Sequence, residues 1–306
     1  ISGLQRKLSL KNLLFPLKLA HSLIKAFFIL RKFKPAVVIG TGGFASGPTL
    51  FMARFLGIKS LIQEQNSYPG ITNKLLAKKT NAICVAYDGL ERYFPVQKLV
   101  KTGNPVRQDL IGNTDNRKEA KSFFDLDPNK KTLVIIGGSL GARAVNNLLR
   151  KEIHWLVSQN IQVIWQTGDL YYEKYKQYDS DYVRVLPFLS NMAEAYSASD
   201  LIVARAGATT IAEVAYLGLP VIFVPSTNVA ANHQYKNAES IVSDKGGLLL
   251  EDKNLISELV NLILNTIINE KLLKTLRTNI QKFSKPDAAK EIALDVLRLA
   301  KKSDSK

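Results

Sequence analysis

One acid, Glu213, lies in the segment LIVARAGATTIAEVAYLGLPVIFVP at residues 201–225, between two apolar runs. Two interpretations fit it. With Thr210 it has the T-x-x-E spacing of a capping box, in which the carboxylate accepts a hydrogen bond from the first backbone amide of the helix. Alternatively, an acid one turn into a helix that follows a strand can accept hydrogen bonds from the hydroxyls of a ribose. The spacing is compatible with both.

Other polar side chains follow other apolar runs. QEQNSYPGITN offers Glu64 and Asn66, TGNPVRQDL offers Asn104 and Arg107, and NHQYKN groups His, Gln and Asn ahead of a helix. The planar guanidinium of an arginine suits a phosphate. Each group also has an ordinary interpretation as a turn or a helix cap.

Cysteine and histidine spacing predicts no metal site. The single cysteine, Cys84, lies in the apolar run AICVAY and is expected in the core. The three histidines are far apart in sequence and lack the spacing of zinc ligands. We therefore expect neither a metal nor another cofactor.

Three segments share one design, in which an apolar run leads into a loop of small residues and then a helix. They span residues 36–57, 133–153 and 201–218. The β-rich runs suit strands buried on both faces of parallel sheets, which predicts an α/β fold with doubly wound sheets. A glycine loop before a helix gathers backbone amides around a phosphate. Three such loops indicate a large phosphorylated ligand, although GTGGFASG is not the G-x-G-x-x-G signature and the chain has no P-loop.

A polar stretch at residues 112–131 predicts a boundary between two domains, residues 1–112 and 113–306. The pattern from Ala288 to Leu299 predicts a final amphipathic helix before a polar tail. The chain begins at Ile1 on a loop and a helix with no preceding strand, so we expect the first domain to be truncated at its N-terminus.

Charge indicates a polyanionic partner. The chain has 42 Lys and Arg against 26 Asp and Glu, a net charge of +16. Residues 10–34 place Lys11, Lys18, Lys25 and Lys32 one heptad apart among large apolar residues. Such a helix can lie on an anionic membrane surface, or it can pack into the core with its lysines in solvent. Its lysines interrupt every apolar run too early for a transmembrane helix.

In their order along the chain, the motifs GGFASGP, EQNSYPGITNK, TGNPVR, GGSLGARAVN, ARAGATTIAE and NHQYKNA resemble the MurG-type glycosyltransferases of bacterial cell-wall synthesis. The resemblance implies two Rossmann-like domains facing a cleft, the GT-B type. It also implies that the C-terminal helix packs back on the first domain. The implied reaction transfers N-acetylglucosamine from UDP-N-acetylglucosamine to the C4 hydroxyl of an undecaprenyl-diphosphate-linked muramyl-pentapeptide, with inversion and without a metal.

The resemblance also implies a donor site in the second domain. Glu213 matches the acid that binds the donor ribose, Gly138 and Ser139 match diphosphate contacts, and Gln234 matches a contact to the sugar hydroxyls. The other matched donor positions are Phe188 and Leu189 at the uracil edge, Ala208, Thr209 and Thr210 near the phosphates, Arg107 close to the donor, and Asn237 in support of Gln234.

On the acceptor side, the resemblance implies a loop of Gly42, Gly43 and Phe44. The histidine that the family favours as general base lies in an earlier glycine loop, before the residue that matches Ile1. Glu64 is then the catalytic carboxylate expected on the acceptor side, in the role of the base, with Asn66 positioning the substrate. The basic helix is expected to meet the cytoplasmic face of the bacterial membrane, where the lipid acceptor is embedded.

Other functions remain open at this point. A catalytically inactive donor-binding remnant would bind UDP without turnover. A UDP-N-acetylglucosamine epimerase shares the architecture but does not need the basic amphipathic helix. A nucleic-acid-binding protein would bind oligonucleotides with a steep salt dependence, but no RNA-binding signature supports it, so we expect no nucleic-acid partner.

Overall fold

The computed structural model describes residues 13–111, 116–138, 141–226 and 232–301, apart from the side chains of residues 256 and 257. Ser139, Lys11 and the predicted tail beyond residue 301 lie outside the described residues. The chain forms two compact units, one of Ile1–Pro105 with Asp287–Lys306 and the other of Val106–Pro286. The domain boundary at residues 112/113 stays a prediction.

Unit 1 contains a parallel sheet of four strands within the described residues, in the order β1-β2-β3-β4. Leu61 and Ile62 of β2 and Ile83 of β3 are fully buried, as the continuous apolar runs predict. Cys84 is also buried there, as expected. The elements are α1 Phe15–Phe33, β1 Val37–Gly40, α2 Gly43–Phe55, β2 Lys59–Glu64, α3 Ile71–Ala77, β3 Ala82–Val85, β4 Leu99–Lys101 and the C-terminal helix α12 Ala288–Lys301.

Helix α1 keeps most of its apolar side chains outside the core. Only Ala26 and Leu30 of this helix are buried, whereas Leu17, Ile24 and Phe28 are 69%, 59% and 64% exposed. The interpretation in which its apolar face packs into the core therefore does not describe most of α1. None of the helices in the described ranges is long and apolar enough to span a membrane.

Unit 2 is built on a parallel sheet of six strands, again counting described residues, in the order β10-β9-β8-β5-β6-β7. The elements are α4 Arg117–Phe123, β5 Lys131–Ile136, α5 Arg143–Ser158, β6 Ile161–Gln166, α6 Asp169–Tyr175, β7 Val183–Leu186, α7 Met192–Ala198, β8 Leu201–Ala204, α8 Ala208–Leu217, β9 Val221–Phe223, α9 His233–Val242, β10 Leu248–Leu249, α10 Leu255–Ile267 and α11 Glu270–Ile280.

The strand order of unit 2 reverses between β5 and β8. From β5 the chain moves outward through β6 to β7, then returns to place β8 on the other side of β5 and continues to β9 and β10. Ligands of doubly wound folds bind at the carboxyl ends of the strands beside such a reversal. A ligand site is therefore expected at the loops after β5 and β8.

Candidate active site

The loop after β5 can follow its path only because glycines occupy it. Gly138 and Gly141 have φ angles of +78° and +70°, a region that side chains other than glycine rarely adopt. A Cβ on Gly141 would lie 2.2 Å from the carbonyl oxygen of Thr167, at the end of β6. The loop thus packs directly on the neighbouring strand, and α5 begins immediately after it at Arg143.

Helix α8 begins at the loop after β8. Gly207 is its N-cap residue, and no side-chain hydrogen bond caps the helix. Thr210 is therefore the third residue of α8 and Glu213 the sixth, so the capping-box interpretation of this pair is wrong. The uncapped first turn, with Ala208, Thr209 and Thr210, presents backbone amides and the positive end of the helix dipole to an anion.

Glu213 is a buried carboxylate, only 5% exposed, with a specific partner. The hydroxyl of Tyr196 on α7 donates a hydrogen bond to its Oε2 at 2.7 Å. Burial raises the pKa of Glu213, while the bond from Tyr196 and the charge of Arg107 act in the opposite direction. Burial, reinforced by Glu213, also raises the pKa of Tyr196 well above its ordinary value. Tyr196 is thus a neutral donor that holds one oxygen of Glu213. The second oxygen of Glu213 is available to a ligand.

Arg107 lies in the same unit as Glu213 and acts on it electrostatically. Its Nε is 3.0 Å from Asp109 Oδ1, and its side chain is 39% exposed. A partly exposed guanidinium in this position contributes positive potential without being locked in a buried ion pair.

The remaining predicted donor residues of unit 2 follow β7 and β9. Leu189 is buried and Phe188 is 54% exposed. The amide oxygen of Gln234 accepts a hydrogen bond from the backbone of Ser226 at 2.8 Å. Asn237 is fully buried, and its amide lies 3.5 Å from the carbonyl oxygen of Ala206, so it joins α9 to the loop that starts α8.

Two residues that support this site were not among the sequence-based candidates. Tyr196 precedes Glu213 by 17 residues, so no local spacing pairs them. Arg205, in the loop before α8, donates to the carbonyl of Val224 and forms a 2.8 Å ion pair with Asp252. The ARAGAT motif contains this arginine, and it is the sequence feature that could have identified Arg205.

The candidate loop of unit 1 begins α2. Gly42 and Gly43 have φ angles of +92° and +74°, and Phe44 is 54% exposed. Here too no side chain caps the helix. The amide nitrogen of Asn73 would lie 3.5 Å from a Cβ on Gly42, which places α3 against this loop.

Glu64 ends β2 and is 2% exposed. Its Oε1 accepts from the backbone and side-chain nitrogens of Asn66 at 3.0 and 3.3 Å, and its Oε2 accepts from Gly70 N and Asn73 Nδ2 at 3.1 and 2.8 Å. A carboxylate has about four lone-pair sites, so these four donors saturate it. Glu64 thereby fixes the loop that carries Asn66, and Asn73 is a partner that the sequence did not predict.

Asn104, another candidate, is also tied to this region. Its side chain accepts from Gln63 Nε2 at 2.9 Å and donates to the carbonyl of Gln65 at 2.9 Å. It therefore supports the end of β2 from the segment that follows β4.

An apolar cavity of about 570 Å³ lies between α1, α2 and α3. Phe44 of the unit 1 loop lines it together with Phe51, and Lys79 lies at its edge. The other lining residues are Phe15, Leu19, Leu23, Gly47, Pro48, Ile71, Thr72, Leu75 and Leu76.

No group of three or more potential metal ligands occurs in the part of the chain that the structure describes.

Two family models match this chain. The model of the glycosyltransferase family 28 N-terminal domain matches residues 1–85, and that of the C-terminal domain matches residues 132–292.

Similar whole proteins support the same grouping. A protein of Flavobacterium psychrophilum, named UDP-N-acetylglucosamine--N-acetylmuramyl-(pentapeptide) pyrophosphoryl-undecaprenol N-acetylglucosamine transferase, is 52% identical, over 100% of this chain and 83% of its own length. A protein of the same name from Bacteroides thetaiotaomicron is 46% identical, over 98% and 82%.

Solved structures agree on the fold. The crystal structure of Acinetobacter baumannii MurG matches with a TM-score of 0.75 and 29% identity, over 96% of this chain and 82% of that one. A UDP-GlcNAc 2-epimerase from Neisseria meningitidis has a TM-score of 0.68 over 97% and 84%, but at 15% identity it shows only a similar fold. The expected α/β fold of GT-B type, with two parallel sheets, is confirmed.

Proposed function

The chain belongs to glycosyltransferase family 28, and from that premise we propose how its residues carry out the reaction. The chain is a UDP-N-acetylglucosamine-dependent transferase of the MurG type, which makes the lipid-linked disaccharide pentapeptide of peptidoglycan synthesis. Its two substrates are the nucleotide sugar and the lipid-linked N-acetylmuramyl-pentapeptide.

One observation carries the assignment of unit 2 to the donor. Glu213 is a buried carboxylate of α8 that is held by Tyr196. The uncapped N-terminus of α8 lies beside the reversal of strand order. Its free oxygen suits a ribose diol, while the N-termini of α5 and α8 suit a diphosphate. Gly138 allows the backbone to approach the diphosphate closely. Arg107 adds positive charge.

This arrangement serves the leaving group of an inverting transfer. The C4 hydroxyl of the muramyl sugar attacks C1 of N-acetylglucosamine and releases its proton to solvent. The bond from C1 to the diphosphate oxygen breaks, and UDP departs with the electron pair. Backbone amides and a guanidinium placed where that negative charge develops lower the barrier. In this proposal Gln234 contacts the hydroxyls of the transferred sugar, and Asn237 supports Gln234.

Unit 1 holds the acceptor in this proposal. Gly42, Gly43 and Phe44 form the loop that contacts it, and Asn66 orients it. Glu64 was predicted as the base, but its four hydrogen bonds leave no lone pair for a proton. We therefore assign Glu64 to positioning the Asn66 loop.

The membrane partner follows from the surface of unit 1. Exposed apolar side chains of α1 and α2 occur beside the exposed Lys25 and Lys32. An apolar surface bordered by lysines suits the cytoplasmic, anionic face of a bacterial membrane, where a polyprenyl-linked acceptor would lie.

The donor assignment is tested by titrating UDP into the full chain and its variants between pH 5 and 8. Glu213→Gln removes a charged acceptor, so it should weaken UDP binding at pH 7.5 by roughly 10- to 100-fold. Because the pKa of Glu213 is raised, the wild-type carboxylate becomes protonated at a higher pH than an ordinary glutamate. The difference between the wild type and Glu213→Gln should therefore shrink as the pH falls.

The matched control is Glu239→Gln, on an exposed residue of α9 in the same unit. It should bind UDP like the wild type. Equal affinities of the wild type and Glu213→Gln at every pH would contradict the donor assignment.

A further inference from the structure

The apolar cavity of about 570 Å³ in unit 1 is lined by one face of each of three helices. Phe15, Leu19 and Leu23 of α1 lie four residues apart, and Phe44 and Phe51 of α2 lie seven residues apart. Residues at these spacings share one side of a helix. The cavity is therefore formed where the apolar stripes of α1, α2 and α3 face one another.

Several large side chains that line the cavity are still accessible to solvent. Phe51 is 42% exposed, and Ile71 and Leu75 of α3 are 68% and 72% exposed. Apolar side chains grouped around a concave surface are typical of ligand-binding grooves, and the volume lies within the range of about 300–1,000 Å³ that such sites have.

Gly47 keeps the floor of the cavity free of a side chain. It lies inside α2, where glycine is less stable than alanine. Its φ is not positive, and a Cβ on it would meet only Thr72 Cγ2, at an ordinary contact distance of 3.4 Å. By contrast, a Cβ on Gly40 would lie 2.3 Å from Leu50. Packing explains the glycine at 40, whereas the glycine at 47 leaves space between Phe44 and Phe51.

The cavity is continuous with the loop that the proposed function gives to the acceptor. Phe44 follows Gly42 and Gly43 in that loop and also lines the cavity. Lys79, which is exposed at the edge, is the one charged side chain among the described lining residues. A ligand that fits this arrangement has a long apolar part and an anionic end that is joined to the group held by the loop.

We propose that this cavity binds the first isoprene units of the polyprenyl chain of the acceptor. A water-sized group fills about 30 Å³, so the cavity has room for roughly 20 carbon atoms, or about four five-carbon units. The rest of the chain stays in the membrane. An acyl chain of a membrane lipid has similar chemistry, but only the acceptor chain is covalently joined to the group beside Phe44. The inference rests on the proposed function, because it needs unit 1 to hold the acceptor.

The test measures the affinity of the full chain, by calorimetry and without membranes, for soluble muramyl-pentapeptide diphosphate acceptors that carry one, two or four isoprene units. The affinity should rise with each length and be at least about tenfold higher for four units than for one, because the added carbons leave water. Addition of UDP-N-acetylglucosamine to the same mixtures measures turnover.

Two variants remove the cavity without touching the α1 surface. Gly47→Leu fills the floor, so the gain in affinity from one to four units should be largely lost. Leu75→Glu places a charge on an exposed part of the lining, should have the same effect, and serves if Gly47→Leu does not fold.

Ile29→Glu is the matched control, on an exposed apolar residue of α1 that does not line the cavity. It should weaken binding to anionic vesicles and keep the full gain in affinity with chain length. An equal loss of this gain in Ile29→Glu and Leu75→Glu would overturn the inference, because the apolar surface in general would then bind the chain.

Other outcomes separate this inference from the proposed function. Turnover without any gain in affinity from one to four units would overturn the inference and leave the transferase assignment intact. If, in addition, dihexanoylphosphatidylglycerol binds to the wild type and not to Leu75→Glu, the cavity belongs to a membrane lipid. Binding that depends on chain length, without turnover, would support the cavity and refute the proposed reaction.

Discussion

Two buried carboxylates of this chain differ in what surrounds them. Glu64 accepts four hydrogen bonds from its own loop and helix, whereas Glu213 has one bond, from Tyr196. The first is saturated and fixes the backbone, and the second keeps an oxygen for a ligand. The surroundings, more than the residue type, separate a positioning acid from a binding acid.

Glu64→Gln tests that distinction. It replaces one acceptor oxygen with an NH2 group facing donors, so we expect kcat to fall while the acid limb of its pH profile keeps its position. Asn73→Ala, which removes one of the four donors, should produce a smaller loss of the same kind. If Glu64 were the general base, the acid limb would disappear in Glu64→Gln, whereas Asn73→Ala would still have one.

The sequence alone identified Glu213 and Glu64 as candidate site residues, but it did not predict which residues surround them. The partners Tyr196 and Asn73 are 17 and 9 residues away in sequence. Only the fold brings them into contact. The capping-box prediction was wrong for a local reason: the N-cap of α8 is Gly207, three residues before Thr210.

The strand, loop and helix units are the elements that bear the site. All three were predictable, because their β-rich runs and small-residue loops are continuous in sequence, and β1–α2, β5–α5 and β8–α8 match them. The loop after β5 depends on how closely it approaches the end of β6. That contact is between segments about 25 residues apart and could not be inferred from local pattern.

Gly141→Ala should disrupt this loop. Its φ of +70° and the 2.2 Å approach of a Cβ to Thr167 O require the backbone to move. We expect a loss of at least about 2 kcal/mol of unfolding free energy. UDP affinity should fall by roughly tenfold or more, because a displaced loop misplaces its amides.

Gly89→Ala is the matched control for backbone strain, with a φ of +77° and no atom within 4 Å of a Cβ. It should cost about 1 kcal/mol and leave UDP affinity unaltered. Equal UDP binding by the wild type and Gly141→Ala would show that the loop does not hold the nucleotide.

Helix α1 gives a prediction for the membrane-facing element. Reversing two exposed lysines, in the Lys25→Glu/Lys32→Glu variant, should weaken binding to vesicles containing anionic lipid by at least roughly 30-fold, because each basic residue near such a surface contributes about 1 kcal/mol and the new carboxylates are repelled. UDP affinity should not change.

The Lys271→Glu/Lys274→Glu variant makes the same charge change on exposed residues of α11 in unit 2. Its vesicle binding should stay within a few-fold of wild type. An equal loss in both variants would mean that net charge, and not the α1 surface, attracts the chain to lipid.

At the scale of the whole molecule, the α/β class and the parallel sheets followed from the alternation of buried runs with helices. The strand orders could not be predicted in this way, because a local sequence pattern does not determine the direction of each crossover. The strand orders depend on which helices cover each face of the sheet. The same holds for α1, whose apolar residues fit either a core or a surface in sequence and which is mostly exposed in the fold. Family membership connects the two units to one reaction.

The most direct test is the release of UDP from UDP-N-acetylglucosamine by this chain, measured with and without a short-chain lipid-linked muramyl-pentapeptide acceptor. We predict release that depends on the acceptor, is lost in Glu213→Ala and is retained in Glu239→Ala. UDP binding without acceptor-dependent release would contradict the assignment of transferase activity to this chain and leave a donor-binding protein in its place.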